Sequence, residues 1–379
     1  MLQTTSSFAG VAAIALVLST VINYADIVSG IYSLFRKAFD FRNAIEKIYY
    51  KGKRDKYYKS LCDKDLIAWQ LNVLETIYKP IIDKDNRVDF TELVIGKTKK
   101  RYESVTFKLN SVNYPFDNVC PKNDLKVNND TNDTNNAESL EDFYKKFSRI
   151  CNRYYSLIRG TIRYPKRIGY MLDELIIREN GWQLKSHVGN YEGNIKTSHI
   201  LEYELYNLYK RHKYNTIYDR DWLLNHLPIR NYIHKKNNET EFFLRSGSGR
   251  ESLLSVQMFV MVKNHSNSYD ALRIRRSSDV TAKAGYLQFV PSGGFKSIND
   301  CTDFDSQWSN YFISKVIFRE LLEGCFGINE DDERISGNNV TTDKIYHNRH
   351  IKNLIDMIVN KNRDKLELVG IVESLGSLG

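Results

Sequence analysis

Apolar positions along the chain fall into three regimes. The first is one uncharged run, FAGVAAIALVLSTVI, over residues 8–22. At about 1.5 Å rise per residue it would make a helix about 22 Å long, short of the roughly 30 Å hydrocarbon core of a bilayer. Extended to Val28 it is long enough to span, and it then takes in Asn23 and Asp26. The second regime fills the middle of the chain. Residues 41–80 place apolar side chains at three- and four-residue steps, the period of an amphipathic helix. RVDFTELVIG and ESVTFKLNSV read as short strands. NNDTNDTNN, over 128–136, is a polar low-complexity stretch expected to form a mobile loop. Helical periodicity returns over 139–158. Beyond it, Tyr164-Pro165 reads as the break of a strand and Arg167-Ile168-Gly169 as the lead into a short helix. Thr197-Ser198-His199 reads as the cap of a helix over 200–211. The third regime is 252–327. SLLSVQMFVMVKN reads as a buried strand, and ALRIRR as a strand before a polar loop. A second strand ends in Pro291-Ser292-Gly293-Gly294-Phe295, and FISKVIFRELLEGCFGI follows as an amphipathic helix.

Charge changes how the first regime reads. The chain of 379 residues carries 55 Lys and Arg against 46 Asp and Glu, a formal +9. With 42% hydrophobic and 12% aromatic residues it can build a sizeable core, which excludes wholesale disorder, and the charged content excludes a polytopic membrane protein. The first basic residue is Arg36, followed by Lys37, Arg42, Lys47, Lys51, Lys53 and Arg54. The whole positive excess therefore lies after the apolar run. A membrane anchor, a secretory signal and a buried soluble helix all remain readings of residues 8–28. The signal reading lacks a basic start and a clear cleavage site. For the anchor, the flanking charge places the carboxy-terminal bulk in the cytoplasm. Cys62, Cys120, Cys151, Cys301 and Cys325 are odd in number and lack CxxC spacing, as suits reduced thiols. Ala12, Ala15, Ser19, Asn23 and Asp26 form a small-to-polar stripe down one side of the run. Such a stripe lets membrane helices pack closely and hydrogen-bond, so it is the expected surface of membrane association. Asn23 and Asp26 equally suit the cytoplasmic interface.

Candidate chemistry concentrates in the third regime. Glu320 and Glu323 stand three apart, on one face of the expected helix, where two carboxylates can hold a hard cation. Arg273 and Arg275 alternate with Leu272 and Ile274, so both guanidinium groups share a strand face. They and Arg276 are candidate phosphate contacts, with a charge-protected strand edge as the alternative. Tyr286, Gln288 and the Gly293-Gly294 backbone are candidates to frame a base and a phosphate. His347 and His350 have ligand-like spacing but no Cys or acid partners, and they read as surface residues.

The order strand, Gly-Gly turn, then a helix carrying Arg319-Glu320-Leu321-Leu322-Glu323 resembles the Nudix family. The resemblance implies a C-terminal Nudix-like α/β/α sandwich, with Mg²⁺ held by Glu320, Glu323 and Asp300. Asp300 is the acid that follows Gly294 at the family's spacing. Two features depart from the pattern. Gly324 replaces the second glutamate of the family's pair, and the segment from Asp300 to Arg319 is lengthened by an insert holding Asp303 and Asp305. With an N-terminal anchor and a mixed middle segment, the whole chain resembles the transmembrane-Nudix effectors of bacterial CBASS anti-phage systems.

That resemblance implies an α+β protein in three parts. They are an anchor over 1–37, a mixed region over 38–240 and a Nudix-like domain over 241–379. It also implies a single-pass protein of the bacterial inner membrane. A cyclic oligonucleotide second messenger, made by an associated CD-NTase, would activate a homo-oligomer that disrupts the bilayer. No stable nucleic-acid partner is expected, although the basic charge alone would suit one. A membrane-tethered Nudix hydrolase of nucleoside diphosphate derivatives is the competing reading.

Overall fold

The computed structural model describes residues 49–95, 97–108, 125–127, 134–158, 168–178, 181–212, 219–237, 241–276, 287–295, 313–326, 348–357 and 370–378. The fold is mixed α/β, with helices and small, mostly antiparallel sheets. The chain divides into two compact units, Met1–Lys56 and Tyr57–Gly379. In the first, the described residues are helical, and the Tyr49 and Tyr50 rings meet edge-on at 5.5 Å. No helix among the described residues is long and apolar enough to cross a membrane; the run 8–28 and its stripe lie outside them.

The second unit is built on periodicity that the sequence displays. Helix α1 (Lys64–Ile82) buries Leu66, Val73, Leu74, Ile77, Tyr78 and Ile81, one continuous stripe, and Asp63 caps it by accepting from the Asp65 N–H at 2.9 Å. Each such side chain withdrawn from water contributes roughly 1.5–3 kcal/mol. Two strands stand near the expected runs, and β1 (Val88–Ile95) and β2 (Thr98–Phe107) pair as a hairpin with a bulge between Phe90 and Glu92. Beyond β3 (Leu125–Val127), helix α2 (Thr134–Ile158) buries Phe143, Phe147, Cys151, Tyr154 and Ile158. It begins inside the polar stretch expected to be a loop, so residues 134–136 form its first turn and only 128–133 lie outside the described residues.

The expected short helix after Gly169 is instead a long hairpin. Strands β4 (Ile168–Arg178) and β5 (Gly181–Asn190) pair antiparallel, and β3 lies parallel to β5. In the run IGYMLDELII a bulge between Leu172 and Glu174 shifts the register, so Tyr170, Leu172, Leu175 and Ile177 share one buried face and Met171 is buried on the other. Such a bulge breaks the period-2 alternation that would mark a strand. The outer edge of β4 continues into residues 246–254. Leu172 N–H donates to Ser252 O at 2.7 Å, and Leu254 N–H donates to Tyr170 O at 2.9 Å. The 371–374 segment, β12 (Ile371–Ser374), pairs with β2, so the last described strand shares a sheet with residues 88–107. The division expected near residue 240 falls within the second compact unit.

The SLLSVQMFVMVKN run is not a buried strand. It makes β6 (Ser255–Gln257) and β7 (Met261–Lys263), and Phe259, Met261 and Val262 are exposed. Strands β8 (Tyr269–Ala271), β9 (Arg273–Arg275), β10 (Leu287–Phe289) and β11 (Ser292–Gly294) follow. The pairs are β7–β8, β9–β10 and β6–β11. The amphipathic helix stands where its periodicity puts it, as Ile313–Phe326, with Val316, Ile317, Phe318, Leu321 and Leu322 buried.

Candidate functional site

The site is assembled on the Gly-Gly strand. Phe295 N–H donates to Leu254 O at 2.8 Å, and Tyr170 N–H donates to Phe295 O at 3.0 Å. These bonds tie β11 to the edge of the β4–β5 sheet. Helix Ile313–Phe326 packs behind it through Arg319, which is buried. Its Nη2 donates to Gly294 O at 2.8 Å and pairs with Glu320 Oε1 at 3.1 Å. Glu320 packs directly against Gly293: a Cβ there would lie 1.9 Å from its carboxyl carbon. A side chain at Gly293 would have to push the end of Glu320 aside, and no special backbone angle is involved.

The three candidate arginines are divided between two faces. Arg276 Nη1 donates to Gln288 Oε1, and Gln288 Nε2 donates to Ser292 Oγ. This relay runs from Arg276 to the residue preceding Gly293. Burial lowers the Arg276 pKa, and Tyr191 opposes that shift. Arg273 and Arg275 are exposed and oppose Phe289 and Leu287 across β9–β10. Directly opposed residues share a face, so these two point away from the Gln288 side. The expected cluster of three thus splits into one partly buried arginine beside the Gly-Gly strand and two exposed ones. Tyr286 and Asp300 lie outside the described residues, as do Ala12, Ala15, Ser19, Asn23 and Asp26. Glu323 is half-buried and Gly324 exposed.

Ser292 and Tyr191 complete the arrangement. Ser292 stands inside the Pro291–Phe295 motif and was legible as a small hydroxyl beside two glycines. Tyr191 opens a helical run: α3 (Tyr191–Asn194), a π turn over Ile195–His199, and α4 (Ile200–His212). Thr197 and Ser198 are therefore interior to the run and not its cap. Asn190 is the cap, accepting from Gly193 N–H at 2.9 Å. Side chains of the π turn, and of Asn194 just before it, hold the backbone of Glu251. Thr197 Oγ1 accepts from Glu251 N–H at 2.8 Å, while Ser198 Oγ and Asn194 Nδ2 donate to Glu251 O at 2.8 and 2.7 Å. This fixes residues 251–254, on which the Gly-Gly strand is paired. π turns of this kind recur at functional sites.

Of the three residues that the family resemblance gives to Mg²⁺, Glu320 and Glu323 are described and Asp300 is not. Arg319, a cation, already occupies Glu320 Oε1, and no group of three His, Cys, Asp or Glu side chains with metal-binding geometry occurs among the described residues. His350 stacks on Phe326 at 4.2 Å. No known protein family, curated protein or solved structure matches the chain.

Proposed function

We propose that the chain is a membrane-anchored, ligand-gated effector of the CBASS type, which receives a cyclic oligonucleotide beside the Gly293-Gly294 strand. The observation carrying this reading is the Arg276–Gln288–Ser292 relay, with Tyr191 acting electrostatically on the arginine. A guanidinium pairs with phosphate, an amide reads a base edge and a phenol ring supplies a stacking face. The ion pair of Glu320 with Arg319 favours sensing over hydrolysis, because that glutamate is engaged by the arginine that holds the helix on the strand. The anchor is residues 8–28, the partner membrane the bacterial inner membrane, and the active form a homo-oligomer. Ligand binding acts by favouring one assembly over another, which requires different affinities for the two.

The test measures binding of a panel of cyclic di- and trinucleotides to the full chain, together with dye leakage from liposomes that contain it. Arg276→Met should lower affinity at least about tenfold, in keeping with the loss of a charge-assisted hydrogen bond. Leakage should follow ligand. Turnover of nucleoside diphosphate derivatives with Mg²⁺, abolished by Glu320→Gln, would replace this reading with the hydrolase one. Leakage unaffected by any ligand would also defeat it.

A further inference from the structure

We infer that the exposed face carrying Met261, Lys263, Tyr269, Arg273, Arg275 and Leu287 docks on an anionic lipid surface. Its residues come from two hairpins. In β7–β8, Met261 opposes Ala271 and Lys263 opposes Tyr269; in β9–β10, Arg273 opposes Phe289 and Arg275 opposes Leu287. Opposed residues share a face, so Lys263 joins Met261 and Tyr269 on one side, and Arg273 and Arg275 join Phe289 and Leu287, while Val262 and Ile274, also exposed, belong to the opposite sides. Phe259 and Phe289 join the two sides, with ring centroids 4.4 Å apart. Met261 is 58% exposed, Tyr269 62% and Leu287 56%. Large apolar groups left this open in a contiguous patch mark an interaction surface.

Charge selects the partner. The acid of these strands, Asp270, pairs with Val262 on the opposite side of β7–β8, where its carboxylate accepts from Asn264 Nδ2 at 3.3 Å. The docking face carries Lys263 and Arg273, and Arg275 stands opposite Leu287. A second copy would set like charges against each other. A bilayer interface instead offers acyl chains to the apolar groups and phosphates to the basic ones. Each basic side chain near an anionic leaflet strengthens binding roughly fivefold. The inference goes beyond the proposed function, since it uses neither residues 8–28 nor the Arg276 relay.

Hydrogen–deuterium exchange on the full chain assembled with lipid nanodiscs tests it. In discs one-third phosphatidylglycerol, amides of residues 259–275 should exchange several-fold more slowly than in pure phosphatidylcholine discs. The protection should vanish in high salt and in the Lys263→Glu, Arg273→Glu, Arg275→Glu triple variant. Exchange within Lys64–Ile82 should stay unchanged, showing that the variant is folded. Equal exchange in both discs would overturn the inference. So would protection in neutral lipid that grows with copies per disc, which would make the face an interface between copies. Protection by an added oligonucleotide without lipid would assign the face to nucleic acid and overturn it equally. None of these outcomes depends on cyclic-oligonucleotide binding at Arg276.

Discussion

Two residues show how small chemical changes should propagate. Gly293 has no room for a methyl group, because the Glu320 carboxyl fills that space. Gly293→Ala should push the carboxylate aside and break its pairing with Arg319. Arg319→Met should do more, leaving Gly294 O and a partly buried carboxylate without their donor, at a cost of about 1–3 kcal/mol. Urea unfolding of both variants measures this; equal stability of Arg319→Met and wild type would refute it. His234 gives a pH effect of definite sign. Its ring is buried, stacked on Phe243 at 4.2 Å, with Nε2 3.4 Å from Tyr78 Oη. Burial first, then Arg230, lowers its pKa well below 6.5. A depressed folded-state pKa means that the unfolded chain takes up the proton first as pH falls. The contribution of His234 is thus complete above pH 6.5 and is lost as the pH drops below it. Glu204 runs the other way. Burial pushes its carboxyl up to about 7, so its contribution is complete below pH 4.5 and lost as the pH rises through 7. His234→Phe should therefore flatten the fall in melting temperature below pH 6.5 and leave the Glu204 trend in place. A slope identical to wild type would contradict the assignment.

At the scale of elements, legibility followed how plainly each segment keeps its period. Helix Ile313–Phe326 stands where it was expected, although Val316, Ile317, Phe318 and Arg319 are buried in succession, so burial is not confined to one face. The runs that became β1 and β2 were readable as strands. Strand β4 was not, because Tyr170, Met171 and Leu172 are all buried and the bulge before Glu174 puts the alternation out of phase. Residues 258–262 failed in the opposite direction: an apolar run fits a buried strand, yet hydropathy carries no record of whether another layer covers it. The candidate site was half legible. Gln288, Gly293 and Gly294 were identifiable beside the helix, whereas the separation of Arg276 from Arg273 and Arg275 depends on strand pairing. The π turn was invisible, since Thr197 and Ser198 also suit a cap. Their grip on Glu251 leads to an element-level prediction. Thr197→Val with Ser198→Ala removes two of the three side-chain bonds to the Glu251 backbone, about 1 kcal/mol each. Amide exchange should rise at residues 251–257 and in β11 while α1 stays protected. An increase spread evenly over the unit would mean that the π turn stabilises the fold globally rather than the platform of the site.

At the scale of the molecule, the last strand is what closes the second unit. Arg230 Nη1 donates to Leu375 O and Nη2 to Gly376 O, both at 2.7 Å, and Nη1 also reaches Tyr78 Oη. Arg250 Nε donates to Leu378 O at 2.7 Å, and its Nη2 pairs with Glu373 at 3.0 Å. Both arginines are fully buried. Burying a guanidinium is unfavourable unless its N–H groups are satisfied, and the 371–378 segment supplies most of those acceptors. Removing residues 371–379 would strip β12 from β2 and leave two desolvated cations without these partners. Loss of one partner of a buried pair costs about 3–5 kcal/mol, comparable to the whole stability of many domains. The truncated chain should therefore lose its cooperative thermal transition. A second variant separates charge from backbone: Arg250→Met should melt above the truncation, because it removes the buried cation and keeps the strand. If the truncation melted cooperatively at the wild-type temperature, the C-terminal strand would be an accessory, and the core of Lys64–Ile82, Pro228–Lys236 and the β1–β2 hairpin would stand without it.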